Sequence, residues 1–377
     1  MKTEGKIKDA CIVIAGQSPK GSSYNEKGEG LEFHQGKKAF GESIIEHSNV
    51  WTTEITKIAE PGDILMSVRA PVGPTNLTDR KICIGRGLAA IRCNREIIPQ
   101  YILYALRNIE SKIIGNDGAV FNSINKNQIE DLPLPILSLS EQQGIVDYLD
   151  SVFAKIDAMK ANAEKSFNEA KALFQASLKE MLEPKEGWEE KKMSSLYDVR
   201  DGTHDSPKYQ DKGYPLVTSK NLKGGILDMS NVNFISESDY KAINSRSKVD
   251  IGDVLFAMIG TIGNPVYVEE EPNYAIKNMA LFKVPREQSG EFLRYYLLNN
   301  IILSKMQSEA KGTTQKFVSL GYLRNFLISI PPLSEQQSIV ATLDSLKSKV
   351  DLLQSNFEKI SQECDALKQA ILRQVFE

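Results

Sequence analysis

The chain has 377 residues, 41% of them hydrophobic, with 46 basic and 49 acidic side chains and a formal net charge of −3. That length suits two ordinary domains plus connecting segments, and no apolar run is long enough to span a bilayer, so the expected location is the cytoplasm, with no membrane partner. The cysteines Cys11, Cys83, Cys93 and Cys364 include no C-x-x-C pair, and the histidines His34, His47 and His204 have no ligand spacing, which speaks against a bound metal or a disulfide framework and for reduced, mostly buried thiols.

Residues 1–138 read as a first globular unit. In it, Pro61-Gly62-Asp63-Ile64-Leu65-Met66 is a turn into a short apolar strand, and Ile82 to Cys93 is strand-like. Tyr101 to Asn108 is a short amphipathic helix, and Gly118 to Leu137 is a glycine-led loop followed by a strand-like run. Residues 139–187 are a long helix and its linker. Ser140-Glu141-Gln142-Gln143, just after Pro135, has the S-x-x-Q spacing of a capping box, in which a hydroxyl and a carboxamide satisfy orphan amides reciprocally. Apolar residues then hold a heptad register at Ile145, Leu149, Val152, Ile156, Met159 and Ala163, which loosens at Ser166 and Ser177, with Phe167 and Phe174 beside it.

Residues 188–332 repeat the plan. Ile251-Gly252-Asp253-Val254-Leu255-Phe256 parallels the first Gly-Asp strand, Tyr274 to Pro285 parallels Ile82 to Cys93, Phe292 to Asn299 parallels the short helix, and Gly312 to Pro331 parallels the closing run. Residues 333–377 restate the long helix from Ser334-Glu335-Gln336-Gln337 onward, with a seam at Ile339, Leu343, Leu346, Val350, Leu353, Phe357, Ile360, Cys364, Leu367 and Ile371. Leu139 to Glu183 and Leu333 to Glu377 align at a constant offset of 194 without a gap, and nearly half of the paired positions are identical.

A helix of about 40 residues is roughly 60 Å long, more than either unit's own core needs. The bland alternative is that each helix packs only on its own domain. Length favours an α+β fold instead: two mixed α/β domains separated by two long helices that pair as an antiparallel intramolecular coiled coil with pseudo-twofold symmetry. The loops between matched blocks differ wholly apart from Gly16 with Gly202 and a shared Ser-Pro-Lys, as expected for two sites of one kind reading different targets. Residues 1–138 hold 17 basic and 16 acidic side chains and residues 188–332 hold 18 and 17, so the helical segments carry the excess acid. If the globular parts bind DNA, their cations must be gathered on one face.

Taken together, the repeated Leu-Ser-Glu-Gln-Gln start, the Gly-Asp strand, the loop Gly312-Thr313-Thr314, and the second unit's Gly187-Trp188-Glu189 and Arg200 to Lys208 make the whole chain resemble the specificity subunit of type I restriction-modification enzymes. One departure is that Met1 to Cys11 lacks the Trp-Glu start of the second unit. The resemblance implies two target recognition domains that each read one half of a bipartite, asymmetric site on double-stranded DNA. It also implies a coiled coil that fixes the half-site gap and docks two copies of a methylation subunit, with restriction subunits joining in the full complex.

The physics fits this role. Two domains on a stiff support can meet DNA at a fixed separation, and major grooves on one face recur about every 34 Å. Phosphate contact requires Lys and Arg, while base edges are read chiefly by Arg, Lys, Asn and Gln. In the first unit the candidate DNA-binding residues are Gln17, Lys20, Gln35, Lys37, Lys38, Arg69 and Arg86. In the second they are Thr203, His204, Lys208, Ser219, Lys220, Asn221, Lys277, Lys311 and Gln315. For each of them a solvated charge or a turn residue is the bland alternative, and turn chemistry suits Asp201-Gly202 and Lys223-Gly224-Gly225 equally well.

No catalytic or cofactor motif is complete. Asn264-Pro265-Val266-Tyr267 superficially resembles an adenine methyltransferase motif but has Val where a second Pro belongs, and no glycine-rich strand-to-helix turn accompanies it. Gly28-Glu29-Gly30 lies in a charged loop, Glu189-Glu190-Lys191 has no acidic partner strand ahead of it, and a P-loop is missing. The chemistry is expected to reside in other subunits, with no cofactor here. The competing reading from another class is a non-enzymatic protein-interaction scaffold with paired binding domains, which would show little salt dependence where a DNA binder shows much.

Overall fold

The computed structural model describes residues 3–113, 123–312 and 316–377, so Gln315 and the Thr313-Thr314 pair lie outside the described residues. The chain forms two compact units, Met1–Asn162 with Glu358–Glu377, and Ala163–Phe357.

In the first unit the opening strand Thr3–Lys6 pairs antiparallel with the closing strand Pro133–Ile136. A four-stranded antiparallel sheet then runs in the order Cys11–Ala15, Leu88–Cys93, Ile64–Ser67, Thr75–Leu77. A second sheet contains Leu31–His34 parallel to Ile82–Ile84. The second unit repeats this plan. Glu189–Lys192 pairs with Leu327–Ile330, so Glu189 and Lys191 sit on an exposed opening strand. The order of its main sheet is Asp198–Asp201, Met279–Lys283, Val254–Ala257, Gly263–Tyr267, and Tyr214–Thr218 lies parallel to Ala275–Lys277.

The Gly-Asp strands are alike for a structural reason. Gly62 and Gly252 adopt φ +89 and +90, a left-handed turn that glycine enters without steric cost. The next residue, Asp63 or Asp253, is only 2% or 3% exposed. Its carboxylate accepts from the turn amide of Glu60 at 2.8 Å or Asp250 at 2.7 Å. A cation on the neighbouring strand neutralises it: Arg92 at 2.7 Å in the first unit, Lys283 at 2.5 Å in the second. A buried carboxylate is tolerated only when paired and hydrogen-bonded in this way.

The structural register shifts the sequence alignment by one residue. Gly16 N donates to Leu88 O and Gly202 N to Met279 O, while Ala90 lies opposite Leu65 and Leu281 opposite Leu255. Arg86 therefore corresponds to Lys277 and Gly87 to Asn278. These strands are buried on both faces, so their apolar pattern has no alternation from which register could be read.

The long helices span Leu139–Met181 and Leu333–Phe376, 43 and 44 residues. They pair antiparallel, as expected. In the first unit, Leu149, Phe153 and Ile156 pack with Cys364 and Leu372. In the second unit, Phe174, Leu178 and Leu182 share a core with Ile339, Val340 and Leu343, and Phe167 stacks on Phe357 with ring centroids 6.2 Å apart. The expected seam is imperfect: Met159 is 59% and Leu367 47% exposed, whereas Leu372 and Leu178 are buried. A helix of 3.6 residues per turn drifts about 20° per heptad, and each end turns its apolar face toward its own unit's core.

Both helices start where expected, but the caps differ. Ser138, not Ser140, closes the first box: its amide and hydroxyl donate to Glu141 Oε2 at 2.9 and 2.6 Å. Position 332 in the second copy is a proline whose carbonyl accepts from the amides of Glu335 and Gln336. The carboxamides of Gln142 and Gln336, both buried, reach instead to the short helix before them. Gln142 accepts from Ile98 N at 2.8 Å and donates to Glu96 O at 2.9 Å, both ahead of helix Pro99–Ile109, and also donates to Leu137 O, just before its own helix, at 2.9 Å. Gln336 accepts from Ser289 N and donates to Gln288 Oε1, both ahead of helix Gly290–Leu298, and also donates to Pro331 O, just before its own helix. About two turns further along the long helices, Tyr104 donates to Asp150 and Tyr295 to Asp344, again at matching places.

All four cysteines are free, and adjacent strands bring Cys11 opposite Cys93 with sulfurs 3.7 Å apart, a proximity their sequence spacing conceals. No described helix is long and apolar enough to cross a membrane.

Candidate nucleic-acid interface

In the first unit, three pieces of backbone crowd together at the turn between Ile82–Ile84 and Leu88–Cys93. A Cβ on Gly16 would lie 2.2 Å from Gly85 O, one on Gly85 2.6 Å from Gln35 Oε1, and one on Gly87 2.3 Å from Gln35 O. Only glycine permits this approach. Ser18 locks the crossing: its hydroxyl donates to Gln35 Oε1 at 2.9 Å and accepts from Arg86 N at 3.2 Å. Val68 N bonds Gly87 O, which brings Arg69 to the same place. Gln17, Gln35, Arg69 and Arg86 thus meet at one crossing and are all exposed. Lys37 and Lys38 follow on the next turn, and Lys20 is tied in through its amide to Glu54. Among the described residues, the charged ends of Lys20, Lys37, Lys38, Arg69 and Arg86 have no hydrogen-bond or ion-pair partner.

Arg80 contrasts with these. It forks onto buried Glu32 with two contacts of 2.9 Å, and His34, His47 and Ser48 N complete the shell. Burial alone would push this carboxyl up, but Arg80, the Ser48 amide and the two imidazoles together hold it at about 2. The cluster is internal architecture.

The second unit builds the equivalent crossing from different residues. A Cβ on Gly202 would lie 2.4 Å from Ile276 O. Thr203 is buried and pairs through its backbone with Ile276 and Asn278. Lys277, the counterpart of Arg86, is 8% exposed, and its ammonium donates to Ser206 Oγ at 2.6 Å. Both units therefore place the serine of a Ser-Pro-Lys beside the cationic turn residue. His204 bridges two oxygens, with Nδ1 2.9 Å from Asn278 Oδ1 and Nε2 2.8 Å from Asp201 Oδ2. Asn278 and then Asp201 raise its pKa by favouring the imidazolium. Ser219 Oγ donates to Asn278 O at 2.9 Å. Lys208 and Lys220 are exposed nearby in sequence, and Lys311 lies on a separate backbone pairing with Phe317. Asn221 is buried, and its carboxamide is engaged by Thr218 and by the carbonyls of Asp228 and Asn231, so it works inside the unit.

Sequence reasoning passed over several groups here. A cavity of about 620 Å³ is lined by Arg200, Arg246 and Arg324 together with Asp201 and His204. A second, of about 490 Å³, runs between Thr203–Pro207 and the helix Glu237–Ser247. Arg200 is braced by Asp198, and Arg324 by Val199 O, while Arg246 is exposed at the helix end. Their sequence separation gave no signal, because among the described residues the first unit has no helix matching Glu237–Ser247, which carries Arg246. Asn264 to Tyr267 form an edge strand beside Val254–Ala257, and Gly28 and Gly30 adopt positive φ in a loop. Among the described residues, no group of three His, Cys, Asp or Glu side chains could hold a metal ion.

Comparison with known proteins adds an independent line. The family model described as type I restriction modification DNA specificity domain matches twice, at residues 2–165 and 185–362. The putative type I restriction enzyme MjaX specificity subunit of Methanocaldococcus jannaschii is 41% identical over 155 residues, 40% of this chain and 36% of that protein. The EcoKI specificity subunit of Escherichia coli is 23% identical over 280 residues, 69% of this chain and 60% of that protein. The chain thus spans less than two thirds of either relative. Among solved structures, a chain from work on complex assembly and conformational transition of the type I R-M system superposes with TM-score 0.77 at 18% identity, covering 100% of this chain and 97% of that one. The HsdS subunit of Thermoanaerobacter tengcongensis gives TM-score 0.58 at 18% identity, over 99% and 96% of the two chains. These superpositions bear on the fold.

Proposed function

The chain belongs to the type I restriction-modification DNA specificity family, and from that membership we propose that it is the non-catalytic DNA-recognition subunit of such a system. Residues 1–138 and 188–332 are its target recognition domains, each reading one half of a bipartite, asymmetric site on double-stranded DNA in the cytoplasm. The helical segments 139–187 and 333–377 set the half-site gap and dock two copies of a methylation subunit, through which restriction subunits join.

The observation that carries this reading is the duplicated crossing. Each unit holds a cation, Arg86 or Lys277, at the same point of the same sheet beside a serine, and surrounds it with loops of unlike sequence. A shared scaffold that leaves Arg86 exposed in the first unit, holds Lys277 against Ser206 in the second and varies the polar neighbours suits phosphate contact combined with local base readout.

The test is to co-express this chain with a methylation subunit encoded beside it and to sequence the host methylome with and without the chain. A bipartite asymmetric motif of methylated adenines that needs this chain, and of which one half alone changes when residues 188–332 are exchanged, is the expected result. An unchanged methylome with no complex formed would overturn it.

A further inference from the structure

Asn278 is one of two described non-glycine residues with positive φ, at +54. It occupies the turn between Ala275–Lys277 and Met279–Lys283, where its neighbours Lys277 and Met279 are both buried. Asparagine tolerates this left-handed region better than most residues, yet holding it there requires support. The support is explicit: its amide donates to Thr203 O at 3.2 Å, and its carbonyl accepts from Ser219 Oγ at 2.9 Å. With both backbone groups spent, the half-buried carboxamide is the part left to meet a ligand.

Resting on the recognition reading above, we propose that Asn278 is a base-reading residue of the second unit and that His204, braced by Asp201, is the positioning residue that sets which edge of its carboxamide faces DNA. Both nitrogens of His204 face oxygens, Asn278 Oδ1 at 2.9 Å and Asp201 Oδ2 at 2.8 Å. Both must donate, which requires the imidazolium. Asn278 Oδ1 is then occupied, and its Nδ2, which has no acceptor among the described residues, is offered as a donor. Its targets in the major groove are acceptors: purine N7, guanine O6 or thymine O4.

Deprotonation reverses the offer. A neutral His204 that keeps Nε2–H on Asp201 presents a bare Nδ1, so the amide turns over, Nδ2 donates to the ring, and Oδ1 faces outward as an acceptor. Asn278 and Asp201 favour the charged ring, burial and Arg246 oppose it, and Arg200 and Arg324 line the same cavity. The corresponding place in the first unit is Gly87, so this device belongs to the second half-site alone.

The experiment uses the enzyme assembled with its methylation subunit on a library of duplexes randomised through both half-sites. Asn278→Gly keeps the φ of +54 and removes only the carboxamide. It should lose about tenfold in preference at one base pair of the half-site that follows residues 188–332 on domain exchange, while the other half is unchanged. His204→Ala should weaken preference at that same base pair, His204→Gln, which can still donate to Oδ1, should restore it, and in the unmutated protein preference there should fall as rising pH takes the proton from His204. An Asn278→Gly enzyme with unaltered preference, or with loss spread evenly over both halves, overturns the inference alone. An unmutated enzyme that methylates no bipartite motif sinks the recognition reading and this inference with it.

Discussion

Arg86 is exposed, unpartnered among the described residues and fixed at its amide by Ser18, and under the proposed reading that suits a phosphate anchor more than a base reader. Arg86→Ala should weaken binding of the assembled enzyme uniformly across sequences and reduce the salt slope of log K by about one. A measured slope unchanged by the substitution would remove Arg86 from the interface. Arg80, equally basic in sequence, should behave otherwise. The depressed Glu32 carboxyl stabilises the fold fully above the ordinary glutamate range near 4.5, and that stability is lost as pH falls toward about 2. Urea titrations between those pH values should therefore show Arg80→Ala abolishing much of the acid dependence of the first unit. Composition could nominate lysines and arginines for the crossing, but could not separate Arg80 from Arg86, because the distinction lies in Glu32, 48 residues away in sequence. Asn278 was invisible for a related reason: its significance lies in its backbone angle and in His204, neither of which leaves a local motif.

Among elements, the long helices were the most legible, since a repeat and a heptad pattern are intrinsic to sequence. Their packing register was not, because the faces at each end answer to separate cores. The Leu-Ser-Glu-Gln-Gln motif was correctly placed at a helix start and misread in detail. Its first glutamine makes three hydrogen bonds in each unit, two to the residues just ahead of the preceding short helix and one to a carbonyl just before its own helix. Gln142→Ala or Gln336→Ala should cost about 2–4 kcal/mol by leaving buried amide and carbonyl groups unpaired, measured as a lower midpoint in denaturant. Ser140→Ala should be nearly silent, whereas a capping role at that position would cost about 1 kcal/mol. The Gly-Asp strands give a parallel case: Arg92→Ala, stranding buried Asp63, should destabilise the first unit by roughly 2–3 kcal/mol.

At the scale of the molecule, the doubling of the chain was plain from its repeat, while the composition of each unit was not. The first unit is discontinuous, taking in Glu358–Glu377, whereas the second is a single stretch, Ala163–Phe357. Phe376 packs against Tyr101 with ring centroids 5.5 Å apart, and Leu372 joins the cluster of Tyr104 and Phe153. Deleting residues 358–377 should therefore raise protease sensitivity in residues 1–162 while sparing 163–357; equal sensitivity in both would contradict this division. The arrangement also orders events on the ribosome. At roughly 5–20 residues per second, the chain from Ala163 to Phe357 takes on the order of 10–40 s to emerge, and throughout that interval the first unit lacks the side chains that cover Tyr101 and Tyr104. The half made first is thus completed after the second, and a message broken within the codons for residues 358–377 yields a polypeptide whose second unit can close but whose first cannot.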